Sequence, residues 1–441
     1  MRAFPPRTWA LVAAGALLTT GGACSPYPSV ESEEGGATGR VAVWYHTGQG
    51  PEKETLERQI KAFNASHRRI EVELTLLPED DYNERVQRAA SRGVLPDLLD
   101  VDGPRLGSFV HKGMLTPLDT GLISPAVQAG LLASIEAQGT YGRRLYSIGT
   151  FDSGLGLYGN RTMLEQAGVD VPEQGEPAWT AGEFTESLRK LALRDADGRV
   201  LDFGLANGVG EWFTYAYSPI VWSAGGDLVH RSDNGYAGGV LNTPGVAKAL
   251  GTVQVWKKYV DPDKDAKSFA AGRTALSWNG HWRYADFSRA LGDELVVLPL
   301  PDFGHGTKTG SGSWSWAVTQ QSQNKKAAAV FLEYLLKDRQ VLAMAKANSA
   351  IPGTNSALEK SELYGSGKPL ELFARQLEET CGNGPVSEGC VAVPRPNTPD
   401  YPVVTRAFQK AFRAVYDDGT APEKALNRAV TTIDTELRGG G

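Results

Sequence analysis

The chain has 441 residues with 41% hydrophobic and 22% charged side chains, an ordinary balance for a soluble globular protein of about two or three domains. A net charge of −6 and the lack of any Lys/Arg stripe weigh against nucleic acid or another polyanion as partner, because phosphate affinity needs clustered cations. Ten Trp and fifteen Tyr are a generous supply of residues that serve binding surfaces as well as cores.

The N-terminus reads as a secretion signal. Arg2 and Arg7 form a positive start, and the apolar stretch "WALVAAGALLTT" (9–20) is short for a membrane span. "GGA" then leads to Cys24. This resembles a bacterial lipobox, with Gly21 where Leu is usual, and makes residues 1–24 a lipoprotein signal peptide with Cys24 as the lipidation site. A plain signal peptide cut near Cys24 is the alternative. The Ser-, Glu- and Gly-rich residues 25–39 follow as a disordered tether to the membrane. Lipidation leaves two cysteines, Cys381 and Cys390, nine positions apart. In an oxidising exterior they are expected to close a small loop as a disulfide.

Along the body, "RVAVWYHT" (40–47) is a β-rich run, and 51–67 carries Leu56, Ile60 and Phe63 at helical spacing after a proline. "IEVELTLL" (70–77) alternates with period two, 80–93 is a helix ending at Gly93, and "LPDLLDVDG" (95–103) is a short buried strand. Strand–helix–strand–helix–strand means a mostly parallel sheet covered by helices. The extended stretch 144–160 comes next, then helices near 161–168 and 180–194, a "DADGR" turn (195–199) and helices through 243–260. Strands at 293–301 and 313–319, one long amphipathic helix at 324–346, and final helices at 402–416 and 421–437 complete the series.

No reactive motif stands out. The six His form no HxxxH or HxxxxH pair and none neighbours a Cys, so a metal site has little support. "DADGR" fails as a calcium loop at Arg199 and Ala206. There is no GxSxG elbow, Walker A sequence or GxGxxG after a strand. No cofactor is expected. A glycosidase needs only two carboxylates at the right separation, so that enzymatic reading stays open.

The aromatic positions say more. Several of Trp44, Trp212, Phe213, Trp222, Trp278, Trp282, Trp314 and Trp316 fall at strand ends or in glycine-rich loops, where α/β sheets place their ligand crevices. Any single Trp is as readily a core residue. An aromatic face suits a flat ligand face of C–H groups, whose rim of hydroxyls needs carboxylates and amides; a pyranose ring has that build. "SWNGHW" (277–282) supplies Trp282 as a stacking face, Asn279 as a hydroxyl partner and Gly280 for close approach, while Trp278 anchors the wall. Asp102, ending a buried strand, and Asp152, in "TFDSG", are candidates for the rim, each also readable as a cap or turn residue.

In order along the chain, "PDLLDVDG", the region 141–184, "FAAGRTALSWNGHW", "VLPLP", "GSGSWSWAV", "FLEYLLKDRQ" and "IPGTNSAL" resemble the extracellular solute-binding proteins of ABC sugar importers, the maltose-binding-protein group. Gly159 before Asn160 and the order Trp179–Thr180 depart from the family's pattern. The resemblance implies an α/β fold of two lobes, each a mostly parallel sheet flanked by helices, joined by hinge strands near 150–154, 310–314 and 350–354. It puts 40–152 with 312–350 in an N-terminal lobe and 153–311 with 351–441 in a C-terminal lobe. By position it makes Trp282 the sugar-stacking aromatic and brings Asp102 and Asp152 near acidic ligand residues. Glu211, Trp212, His46, Asp81 and Tyr401 fall in further contributing segments, and Trp314 joins them from the aromatic reading.

The implied function is capture of a carbohydrate between the lobes and its delivery to the permease subunits of an ABC importer, by a monomeric, non-enzymatic, lipid-anchored extracytoplasmic protein. A secreted carbohydrate-active enzyme is the first alternative. A same-fold binder of another solute, such as a glycerol phosphate, polyamine or peptide, is the second; a phosphate would need a cleft cation, for which Arg273, Arg283 and Arg395 are available.

Overall fold

A computed structural model describes residues 36–439 apart from 49, 120, 174 and 232–234. The signal peptide, Cys24 and residues 25–35 of the tether lie outside the described residues.

Two sheets organise the chain. The first has the order Ile70–Leu77, Gly39–His46, Leu98–Asp102, Trp314–Val318, Ser147–Ile148. Gly39–His46 runs parallel to both of its neighbours, and Trp314–Val318 is antiparallel to both of its own. Leu98–Asp102 lies centrally and every residue of it is buried, which is why its sequence is continuous rather than alternating. Ile70–Leu77 lies at the edge, where alternation persists. The second sheet has the order Leu295–Leu298, Leu155–Asn160, Leu276–Gly280, Leu201–Asp202, with Leu155–Asn160 antiparallel to both neighbours.

Helices cover both sheets, and the strand Leu155–Asn160 of the second sends Leu157 into one core and Tyr158 into the core that surrounds the first sheet. Around the first, Leu56 and Phe63 of the helix Gly50–Ser66 pack with Trp316, Phe331 and Leu335. Around the second, Trp256, Trp278, Phe408 and Phe412 pack with Leu157 and Leu276. Local signals end the helices where the sequence places them. Glu79–Arg92 stops at Gly93, whose φ of 68° is left-handed and whose N–H reaches back to Ala89 and Ala90. Thr180 and Glu183 form a reciprocal capping box for Ala181–Ala192. "DADGR" is a turn in which Asp195 accepts from the N–H groups of Asp197 and Gly198.

Two elements differ from expectation. The long helix at 324–346 is two helices, Lys325–Leu335 and Asp338–Asn348, separated where Lys337 is extended at ψ 138°. The break re-aims the second helix onto Gly50–Ser66, where Gln59 Nε2 donates to the Gln340 carbonyl at 2.9 Å. The aromatic stretch expected in glycine-rich loops is one helix, Glu211–Ser223, buried from Trp212 to Ser223. Burial all round removes the amphipathic period that would mark it, and Trp222 is a core residue whose indole N–H bonds Asp227.

Short strands lie between the two sheets. Phe151–Asp152 pairs with Ile351–Pro352, Thr309–Ser311 pairs with Ala392–Pro394, and Ser311 also bridges Gly154. The disulfide Cys381–Cys390, with Cα atoms 5.1 Å apart, closes the loop just before Ala392–Pro394.

Candidate functional site

The end of Leu98–Asp102 presents Asp102, and the register places Trp314 directly opposite it on the neighbouring strand. Opposed residues of an antiparallel pair share a face, so the first lobe offers a carboxylate and an indole side by side. From the second lobe, the helix Glu211–Ser223 contributes Glu211 in its first turn, then Trp212 and Tyr215. Arg395 follows the strand Ala392–Pro394, and Tyr401 and Thr405 stand at the start of Tyr401–Tyr416.

Arg395 ties these pieces together. Its Nη2 donates to Asp102 Oδ1 at 2.9 Å and its Nη1 to Glu211 Oε1 at 2.8 Å, and its guanidinium lies 5.0 Å over the Tyr215 ring. The side chain is 4% exposed. Burial works against its charge, and the carboxylates of Asp102 and Glu211 outweigh that, keeping the guanidinium protonated. Glu211 is pushed up by burial and pulled back by Arg395. It also accepts from the Tyr401 hydroxyl and from Thr405 Oγ1 at 3.0 Å, with Arg105 4.0 Å away. Among the described residues, the Tyr215 hydroxyl, Ser311 Oγ and Arg395 Nε are buried without a hydrogen-bond partner. Orphaned polar atoms of this kind call for a functional explanation.

The aromatic wall of the second lobe is Trp282, Trp212 and Tyr215. Trp282 meets Trp212 edge-on at 5.8 Å and Tyr215 at 6.3 Å. Its ring folds back over Gly280, where a Cβ would stand 2.0 Å from the indole. On the first lobe, Trp314 stacks on His46 with ring centroids 4.1 Å apart and meets Tyr82 edge-on. His46 is itself buried. Its Nδ1 pairs with Asp100, and its Nε2 lies 3.7 Å from Glu52. Burial pushes Asp100 up to about 6 against the pull of His46; burial lowers His46, and Asp100 more than reverses that.

The structure therefore brings Asp102, Glu211, Trp212, Trp282, Trp314 and Tyr401 to one region, and gives other expected residues different surroundings. Asp152 is fully buried among the short strands, where Gln138 Nε2 donates at 2.9 Å and the Ser153 and Gly312 N–H groups bind its other oxygen. Asn279 is buried too, accepting from Asn207 and donating to Asp202 and Ser277. His46 lies behind Trp314, and Asp81 pairs along its own helix with Arg85 at 2.8 Å. His281 accepts from Ser153 Oγ and donates from Nδ1 to the Asn348 carbonyl; burial pushes it down to about 4, so it is neutral. Sequence reasoning missed Tyr215 and Thr405, and kept Arg395 only as a phosphate candidate. No group of three His, Cys, Asp or Glu among the described residues is placed to hold a metal.

Chemically, the region combines indole faces with hydroxyl groups and with carboxylates that share the guanidinium of Arg395. Residues 58–366 match the family of bacterial extracellular solute-binding proteins. The chain is 23% identical over 314 residues to an uncharacterized lipoprotein in the oleD 5′ region of Streptomyces antibioticus, covering 68% of each. Among solved structures it is similar to the GacH receptor of Streptomyces glaucescens, studied unliganded and with acarbose: TM-score 0.76, 20% identity, 91% of this chain and 99% of that one. It is also similar to the cyclic alpha-maltosyl-1,6-maltose binding protein of Arthrobacter globiformis: TM-score 0.71, 24% identity, 91% and 100% covered. The match over most of the body, with the two-lobed fold those structures share, makes this chain a member of the bacterial extracellular solute-binding proteins.

Proposed function

We propose that the protein captures a neutral carbohydrate between its lobes and passes it to the permease subunits of an ABC importer, working as a monomer anchored outside the cell through lipid on Cys24. The observation that carries this reading is the ion-paired cluster Asp102–Arg395–Glu211 beside the Trp282 wall. Carboxylates held by a guanidinium keep lone pairs for sugar hydroxyls, and the indoles suit the ring's C–H face. Solved proteins of the same fold bind acarbose and a cyclic maltosyl-maltose, which supports the ligand class.

Two features speak against the alternatives. The three cations that the sequence offers a phosphate ligand are already engaged: Arg273 by Asp261 and Asp265, Arg283 by the Ala266 carbonyl, Arg395 by its two carboxylates. A glycosidase needs one carboxyl to give up a proton and another to act freely, whereas Asp102 and Glu211 share one guanidinium. A thermal-shift screen against mono- and disaccharides tests the proposal, since a cleft ligand raises the melting temperature by mass action. Trp282→Ala is expected to weaken binding of the sugar so found by about tenfold or more, roughly 1.4 kcal/mol, with the fold intact. Unchanged affinity would place the stacking face elsewhere. Oligosaccharide cleavage that disappears in Asp102→Asn would replace the binding reading with an enzymatic one.

A further inference from the structure

Arg395 differs from every other group in the region in what it joins. Asp102 ends a strand of the first sheet, next to Leu99 and Val101, which pack in the first lobe. Glu211 opens a helix whose Trp212, Phe213 and Tyr215 belong to the core of the second lobe. One buried guanidinium therefore bridges one carboxylate from each lobe, 293 and 184 positions away in sequence. Its neighbour Asn397 reinforces the crossing: its Oδ1 accepts from the Gly107 N–H at 2.6 Å and its Nδ2 donates to the Thr140 carbonyl at 3.3 Å.

Breaking a buried pair by removing one partner leaves an uncompensated charge, and like charges brought together in a dry site repel strongly. Without Arg395, Asp102 and Glu211 would face each other across the lobe boundary with only Arg105, 4.0 Å from Glu211, as a remaining cation. Asp152 adds a further buried carboxyl close enough to act on Tyr215. With the guanidinium in place the cleft accommodates a neutral ligand but repels an added carboxylate, since Arg395 has two carboxylates already. With it removed, the cleft both opens and prefers a cation.

We propose that Arg395 is the specificity-determining residue of the cleft, offsetting the Asp102 and Glu211 carboxylates so that a neutral sugar is preferred over a cationic one, and coupling that charge balance to the approach of the lobes. The selectivity half rests on the carbohydrate reading; the lobe half does not. The test uses glucose, glucuronate and glucosamine as a matched neutral, anionic and cationic set, titrated into the full chain by tryptophan fluorescence, with small-angle scattering of each protein without sugar. Wild type is expected to bind glucuronate at least about tenfold more weakly than glucose. In Arg395→Gln glucosamine should overtake glucose, and the radius of gyration should rise. Arg395→Lys keeps the charge but not the fork that spans two carboxylates; it should lose affinity yet keep the preference for glucose over glucosamine that Arg395→Gln loses, a contrast that a merely structural role would not produce. Asp102→Asn, which removes only the first-lobe partner, covers the case where Arg395→Gln fails to fold: it should raise the radius of gyration and relax rejection of glucuronate. Unchanged dimensions and unchanged charge preference in these variants would overturn the proposal. If wild type binds none of the three sugars, scattering still decides the lobe half, and the carbohydrate reading alone is weakened.

Discussion

A Cβ on Gly280 would stand 2.0, 2.2 and 2.6 Å from three carbons of the Trp282 ring, so Gly280→Ala must push that ring off its place against Trp212. The strain of such overpacking is about 1–3 kcal/mol. Sugar affinity should fall about tenfold and tryptophan emission should shift; if neither moves, the ring is not the cleft wall. Beside it, His281 offers a test of pH dependence. Burial holds its folded-state value near 4 against an ordinary 6.5, so between those limits the unfolded chain binds the extra proton. This residue's contribution to stability therefore falls as pH drops from about 6.5 to about 4 and is constant above that window. His281→Gln should lose less melting temperature than wild type between pH 7 and pH 5; an equal or steeper loss would show that the imidazole is charged in the fold. Trp282, Gly280 and Asp102 stand out in the sequence as candidates because local features carry them: an aromatic beside a glycine, a carboxylate ending an apolar run. Asn279, Asp152 and His46 look identical in sequence to ligand-facing residues, but their hydrogen-bonding groups are taken by Asp202, Gln138 and Asp100, which are 77, 14 and 54 positions away.

At the level of elements, periodicity and capping revealed most helices and strands, because those signals are local. The helix Glu211–Ser223 escaped because it buries all faces and carries Pro219 inside. Arg395 lies in "VPRPNTPDYP", where prolines announce an irregular segment and nothing announces the carboxylates it meets. The disulfide loop is an element of a different sort. Asn383 Nδ2 holds the Ala137 carbonyl at 2.5 Å on one side, while buried Lys308 donates to the Cys390 carbonyl at 2.7 Å on the other. Replacing Cys381 and Cys390 by Ser reopens a loop of separation 9, an entropic loss of about 2–3 kcal/mol in the chain-closure model. The melting temperature should drop in the double variant and in reduced wild type alike. A drop in neither would mean that packing of the loop, rather than its covalent closure, secures it.

For the whole molecule, the proposed function predicts closure about the paired strands between the sheets, with ligand favouring the form that touches both lobes. Saturating sugar should raise the melting temperature further with each increase in concentration above Kd and reduce the radius of gyration. Stabilisation without compaction would indicate a ligand held by one lobe. The two-lobed plan was legible from the ordered series of family-like segments, none informative alone. The state of the charged cluster was not, because it depends on how closely two surfaces far apart in sequence approach.

The strand order of the first sheet has a consequence for how the chain acquires its shape. Trp314–Val318 lies between Leu98–Asp102 and Ser147–Ile148, so that sheet cannot be completed until nearly three-quarters of the polypeptide is available, whereas all four strands of the second sheet lie within 155–298. Pairings of such long sequence separation are slow to form, since loop closure must precede the contacts that reward it. The first sheet is thus built to close later than the second, its central strand exposed along one edge until residues 314–318 arrive to cover it.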